Sequence, residues 1–366
     1  MTINLRLAAA WTSVLIFLAF GNILMAGKHP LATIVLFFWL LGVILWSAFG
    51  VVHEAEEVAE RLGEPFGTLV LTLSIVVIEV ALISAVMLGS KAAPTLGRDT
   101  MFAVLMIVLN GVVGLCLLTG GLKYHLQSFN LQGAGAYLAL IIPLSVISLV
   151  LPNFTTSMQS GMLSPAQAAF FSIFTIGLYG LFLWLQTGRH SGFFVAVPAK
   201  AGDELGRPMP HHVGAPGSTA VRVLLLIANI LPIIILSKSL AKMLDEGIAL
   251  SGAPAALGGI VIAMIVFTPE GISALKAVAA NQLTRAINLC LGAATSTLGL
   301  TVPAVLLIGL LSHEPVVLGL SPANMVLLAV TLILNTLTFS GTRTSMLEGA
   351  THLSLFFVFL VLVFSP

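Results

Sequence analysis

Thr72-Leu73-Ser74-Ile75-Val76-Val77-Ile78-Glu79-Val80-Ala81-Leu82-Ile83-Ser84 is an apolar run with one carboxylate in its middle, and Ile265-Val266-Phe267-Thr268-Pro269-Glu270-Gly271-Ile272 repeats the arrangement nearly half a chain later. Both belong to uncharged stretches of the length, about 20 residues, that carries a helix across the hydrocarbon core of a bilayer. The rest of the chain agrees: 58% of its 366 residues are hydrophobic and 8% are charged, against roughly a quarter charged in a soluble domain. A net charge of +1, with Lys and Arg scattered between the apolar runs, excludes a nucleic-acid footprint. Cys116 and Cys290 fall inside apolar spans without CxxC spacing and read as small core residues.

The apolar runs predict an all-α membrane protein of eleven helices, at residues 8–25, 31–52, 66–88, 100–122, 135–151, 166–185, 219–236, 254–278, 286–311, 323–339 and 347–364. The first lacks a small-residue cleavage pattern and reads as a retained helix rather than a signal peptide. The stretch from Thr187 to Ser218, rich in Gly, Pro and His, reads as a linker between halves. The division is therefore a first helix (1–30), a five-helix unit (31–187), a polar loop (188–218) and a second five-helix unit (219–366). With the N-terminus inside the cell, Arg6, Arg61, Lys123, Arg189, Lys200, Arg207, Arg222, Lys276, Arg285 and Arg343 fall on the inner side, and Lys28, Lys91, Arg98, Lys238 and Lys242 outside. This distribution favours a cytoplasmic N-terminus.

The halves are related. Gly63-Glu64-Pro65 leads into the third helix as Gly252-Ala253-Pro254 leads into the eighth, Leu96-Gly97-Arg98 parallels Leu283-Thr284-Arg285, and Glu79 matches Glu270. Five spans per half put the second copy upside down relative to the first. Inverted repeats of this kind are typical of secondary transporters, whose midplane site lies at the repeat interface.

Of the 14 acidic residues, the predicted spans bury only Glu79 and Glu270. A charge at the bilayer centre costs at least ~2.5–3.5 kcal/mol, so two carboxylates at matched positions mark a site where a divalent cation is expected. Pro269 removes a backbone donor and Gly271 weakens the helix beside Glu270, freeing carbonyl oxygens. Such hard oxygen ligands suit Ca²⁺. Further oxygen donors are expected from Thr72, Ser74, Ser84, Asn110, Thr268, Thr295, Ser296 and Thr297, with Asn110 and Ser296 foremost because they fall mid-span. No Cys/His cluster suits zinc or copper, and no resident cofactor is expected, the cations being cargo. Without a cation, the doubly ionised pair is the forbidden state, so the site holds either Ca²⁺ or protons. Na⁺ or K⁺ in place of Ca²⁺ is the alternative. An intramembrane enzyme lacks parts: neither GxSxG nor HExxH occurs, and Asp99, Asp203 and Asp245 read as lying in or beside loops. A passive cation channel is a third reading.

His53-Glu54-Ala55-Glu56-Glu57, with Glu60 and Glu64, reads as a solvated acidic face between the second and third helices. His352 reads as an interhelix hydrogen-bonding contact, and the run from Thr336 to Thr344 as the end of the tenth helix docking on its neighbour.

On Arg61-Leu62-Gly63-Glu64-Pro65-Phe66-Gly67 running on to Glu79, on Thr268-Pro269-Glu270-Gly271, on Ala274-Leu275-Lys276-Ala277-Val278 through Asn281-Gln282 to Arg285-Ala286, and on Thr342-Arg343-Thr344, the chain resembles the calcium/proton antiporter family of the calcium/cation antiporter superfamily, most closely its bacterial ChaA type. The resemblance implies a five-plus-five inverted fold with an additional first helix, Ca²⁺/H⁺ exchange across the bacterial inner membrane, and Na⁺/H⁺ or K⁺/H⁺ exchange in the ChaA type. It also implies that Glu79 and Glu270 are the two repeat-centre glutamates. Where many members carry an Asn-rich G-N-x-x-E arrangement, this chain has Ser74-Ile75-Val76-Val77-Ile78-Glu79. The loop between halves, acidic in relatives, holds only Asp203 and Glu204, with His190, His211 and His212 nearby.

Overall fold

The computed structural model describes residues 2–25, 30–63, 66–89, 94–194 and 218–365. Lys28, His29, Glu64, Pro65, Lys91 and the middle of the linker, with Lys200, Asp203, Glu204, Arg207, His211 and His212, lie outside the described residues.

Eleven helices account for nearly all of it: α1 (Thr2–Met25), α2 (Pro30–Leu62), α3 (Phe66–Gly89), α4 (Leu96–Tyr124), α5 (Leu131–Asn153), α6 (Pro165–Thr187), α7 (Thr219–Ser251), α8 (Ala256–Ala279), α9 (Leu283–Ser312), α10 (Pro322–Thr338) and α11 (Met346–Phe364). Eight are long and apolar enough to cross a bilayer, and α1, α3 and α10 contain the shorter apolar segments Leu5–Gly21, Leu69–Ala85 and Pro322–Thr338. Helix starts follow from polar caps: Asn130, Ser164, Ser218, Ser321 and Ser345 each accept a bond from a first-turn N–H, which satisfies donors that no intrahelical carbonyl can reach.

The halves match element by element. α2 and α7 both run 33 residues, and α3 and α8 both run 24. α4 and α9 are each interrupted by a π-helical turn, Ile107–Val112 in one and Thr297–Thr301 in the other.

Contacts sort the helix ends into two faces. On one face Arg6 (start of α1), Glu54 (late in α2) and Arg222 (start of α7) meet. On the same face Lys123 Nζ and Tyr124 Oη, at the end of α4, donate to the Ala279 carbonyl at the end of α8, at 2.8 and 2.7 Å. On the other face the Arg98 guanidinium donates to the Gly319 carbonyl at 2.9 Å, Val317 N–H to the Pro94 carbonyl, and Leu320 N–H to the Leu149 carbonyl. These meetings require every helix to cross once, so α3 and α8 run in opposite directions, as an inverted repeat demands.

Three expectations are corrected. α2 continues to Leu62 rather than ending at 52, and α7 to Ser251 rather than 236; the acidic stretch from His53 onward is therefore helix, and Lys238, Lys242 and Asp245 stand on α7 rather than in a loop. Burial of carboxylates is not confined to Glu79 and Glu270, because Glu54 is 0% exposed. Its oxygens face Arg6 at 3.6 Å and Arg222 at 3.0 Å, and Arg6 Nε donates to Asn229 Oδ1 at 3.0 Å. Arg6 and Arg222, counted from the sequence only as charges of the inner side, are thus buried partners of Glu54. The segment after α10 docks by a short antiparallel pair, Gln127 opposite Thr344 and Ser128 opposite Arg343, the one two-stranded sheet among the described residues.

Candidate cation site

Glu79 sits mid-helix in α3, 1% exposed. Its Oε2 accepts from Thr301 Oγ1 at 2.8 Å and Thr297 Oγ1 at 3.1 Å. Residues four apart share a helix face, so the Thr297-x-x-x-Thr301 spacing aims both hydroxyls at one carboxylate. Pro303, just past the π turn of α9, cannot donate to a preceding carbonyl and favours the irregular turn. Oε1 of Glu79 is buried with no hydrogen-bond partner.

Glu270 sits mid-helix in α8, directly after Pro269, an in-helix proline that leaves the Ile265 carbonyl without its usual donor. The side chain lines a cavity with Val108 and Val112 of α4, Phe267, Leu289 and Cys290. The cavity is about 10 Å³, room for roughly one water, and Glu270 is its one charged lining residue. Its Oε2 is also buried without a partner. α3 packs on α8, so the two matched carboxylates stand on packed helices of opposed halves, each with one buried oxygen that has no hydrogen-bond partner.

The contrast with Glu54 is informative. A buried carboxylate between two guanidiniums is electrically satisfied, whereas Glu79 and Glu270 have no cationic side chain in any described contact; an ionised pair there needs a cation, and an empty one needs protons.

The secondary oxygen donors divide. Thr297 reaches Glu79, as its type and position suggest. Ser74 donates to Val70 O, Ser84 to Val80 O, Thr268 to Met264 O, Thr295 to Leu291 O and Ser296 to Ala293 O, the usual bond of a hydroxyl to its own helix. Thr72 bonds the Tyr179 hydroxyl. Asn110 donates to Thr331 Oγ1 at 2.8 Å and faces His352 Nδ1 at 3.3 Å through Oδ1. None of these seven side chains hydrogen-bonds Glu79 or Glu270 in a described contact. Thr301 escaped the sequence reading, although its spacing from Thr297 and the following Pro303 are visible there. Among the described residues no group of three or more His, Cys, Asp or Glu is placed to hold a metal.

Comparison with known proteins places this geometry. The chain is 39% identical over 353 residues to the Escherichia coli protein named sodium-potassium/proton antiporter ChaA, covering 92% of this chain and 94% of that one. It is 37% identical over 358 residues to the protein y4hA of Sinorhizobium fredii, covering 98% and 96%. Among solved structures it shares its fold with the Ca²⁺/H⁺ antiporter protein YfkE, with a TM-score of 0.74 and 18% identity over all of both chains. The family model described as sodium/calcium exchanger protein matches residues 32–188 and 221–365, the two five-helix units with α1 left outside. Two inverted units of membrane helices, a central acidic pair and these likenesses lead to one conclusion: the chain is an antiporter belonging to the sodium/calcium exchanger family.

Proposed function

We propose that this antiporter exports Ca²⁺ in exchange for H⁺ by alternating access, Glu79 and Glu270 binding either the cation or protons. The observation that supports this reading best is the pair of buried, unbonded carboxyl oxygens, Glu79 Oε1 and Glu270 Oε2, on packed helices of opposed halves. Two carboxylates neutralise one divalent ion. Ca²⁺ accepts irregular sets of six to eight oxygens, and the Thr297 and Thr301 hydroxyls, the carbonyl freed by Pro269 and water can contribute. A bound cation expels the protons and protonation removes the ligands, so only the two loaded forms are free of an uncompensated charge when access switches. The solved neighbour YfkE is named a Ca²⁺/H⁺ antiporter.

A second reading has its own observation. The 39% identical E. coli relative is named for sodium and potassium, and a site with only two acidic side chains can also take a monovalent ion together with one proton. In the same proposal the chain lies in a bacterial inner membrane with its N-terminus on the cytoplasmic side, an orientation supported by the basic residues Arg6, Arg61, Arg222 and Lys123.

An ion panel tests the choice. In inverted vesicles holding a pH gradient, CaCl₂ is expected to dissipate the gradient at concentrations where NaCl and KCl are silent. A response to NaCl or KCl with none to CaCl₂ selects the monovalent reading, and charge movement without proton counterflow removes antiport altogether. Thr301→Val gives a finer check: loss of a hydrogen bond to a charged group is worth ~1.5 kcal/mol or more, about tenfold. The KM for the driving cation is expected to rise by that factor, with Thr301→Ser restoring it; an unchanged KM removes Thr301 from the site.

A further inference from the structure

The π turn of α4 has two sides with different chemistry. On one side Val108 and Val112 wall the Glu270 cavity, and Val112 packs over Gly271, where a Cβ would meet its methyl at 3.4 Å. On the other side Asn110, 0% exposed, joins a buried polar cluster reaching α10 and α11. Asn110 Nδ2 donates to Thr331 Oγ1 at 2.8 Å, Asn110 Oδ1 lies 3.3 Å from His352 Nδ1, and His352 Nε2 lies 3.0 Å from Thr338 Oγ1. Asn110 itself lies inside the π turn, Ile107–Val112.

Because an amide oxygen only accepts, Nδ1 carries the ring proton and Nε2 accepts from the Thr338 hydroxyl. Neutral His352 is thereby satisfied on both edges and holds the irregular turn from behind. α11 is close enough to do so: Gly349 packs on α4 so tightly that a Cβ there would come within 2.9 Å of the Gly114 carbonyl. The matching π turn in α9 turns Thr297 and Thr301 onto Glu79. The α4 turn presents two valines to Glu270 and is fixed by a histidine on another helix.

We propose that His352, acting through Asn110 and the π turn of α4, is a positioning residue for the Glu270 side of the cation site. It sets where Val108 and Val112 stand and therefore the shape of the cavity that a cation or water shares with Glu270. This rests on the reading of Glu270 as a cation-binding group.

The test needs one readout that is independent of transport. Cys290 lines the same cavity, and the chain has only two cysteines, so alkylation of Cys290 in a Cys116→Ser background reports the cavity directly. His352→Leu is expected to change the Cys290 alkylation rate severalfold and to raise the KM for the driving cation about tenfold, as loss of a residue supporting a ligand does, with a smaller change in kcat. His352→Asn, which keeps a donor where Nδ1 stood, is expected to restore both. Asn110→Ala should reproduce His352→Leu, and the double variant should be no worse than either alone, the signature of one coupled unit. Wild-type alkylation and KM in His352→Leu overturn the proposal. So does failure of Asn to outperform Leu, and so does simple addition of the two single effects. If His352→Leu does not assemble, Asn110→Ala and Thr338→Val carry the same measurements. Should Glu270 prove dispensable for exchange, the transport reading falls, while the alkylation rates still decide whether His352 sets the cavity.

Discussion

Glu270→Gln and Glu79→Gln are each expected to bring cation-driven proton movement down to the level of protein-free liposomes while leaving the fold intact. Each glutamine keeps the shape of the side chain and removes the ionisable oxygen that lacks a partner. A neutral amide cannot balance a cation, nor release a proton to let one in, so both directions of the exchange stop together. Stability should not fall, because the substitution removes a potential uncompensated charge from a dry site. Thermal unfolding in detergent, followed by exposure of Cys116 and Cys290 to a thiol-reactive dye, measures this in the same preparations; both thiols are buried in the folded protein. Loss of exchange at an undiminished Tm is the expected pattern. Near-normal exchange by both variants excludes the carboxylate-swap mechanism.

Glu54→Leu is expected to do the reverse, unfolding the protein at lower temperature with little specific effect on the ion dependence of any exchange that remains. Glu54 is fully buried between Arg6 and Arg222, each 8% exposed, and its removal takes the carboxylate from Arg6 and leaves Arg222 with Glu57, at 4.0 Å. Breaking a buried ion pair from one side costs about 3–5 kcal/mol. The site has little slack, since Gly50 is packed so closely on the Arg6 guanidinium and Asn229 that a Cβ there would collide with them. The triple substitution Arg6→Leu, Glu54→Leu, Arg222→Leu is expected to recover most of the loss, because a buried charged cluster is often no more stable than apolar side chains filling the same volume. A single Glu54→Leu variant as stable as the wild type would mean that the cluster does not bind α1 to α2 and α7.

The two predictions separate buried carboxylates that the sequence presents alike. In the sequence, Glu79 and Glu270 stand out because nothing charged lies near them on their own helices, and Glu54 does not, because it sits in a run with Glu56, Glu57 and Glu60. That run reads as solvated, and Arg6 and Arg222 only as charges of the inner side, since their meeting depends on contacts between positions 168 and 223 residues apart. The hydroxyl donors show the same divide. A threonine pair four residues apart announces a shared face, but which carboxylate it faces depends on how α9 lies against α3. Asn110 looks like a mid-span ligand, yet it is occupied by Thr331 and His352, from α10 and α11.

The chain by itself determined that this is a membrane protein of about eleven helices in two related halves with one central glutamate each, because transfer of apolar segments from water and the cost of an intramembrane charge are properties of residues read in order. Only the tertiary structure decided which carboxylate is balanced by arginine and which two keep a buried oxygen without a partner, where the hydroxyls point, and that a histidine from the last helix meets Asn110 in the π turn of α4. Those outcomes depend on electrostatic and hydrogen-bond partners brought together across helices, and an unpaired oxygen can be recognised only once every neighbour around it is in place.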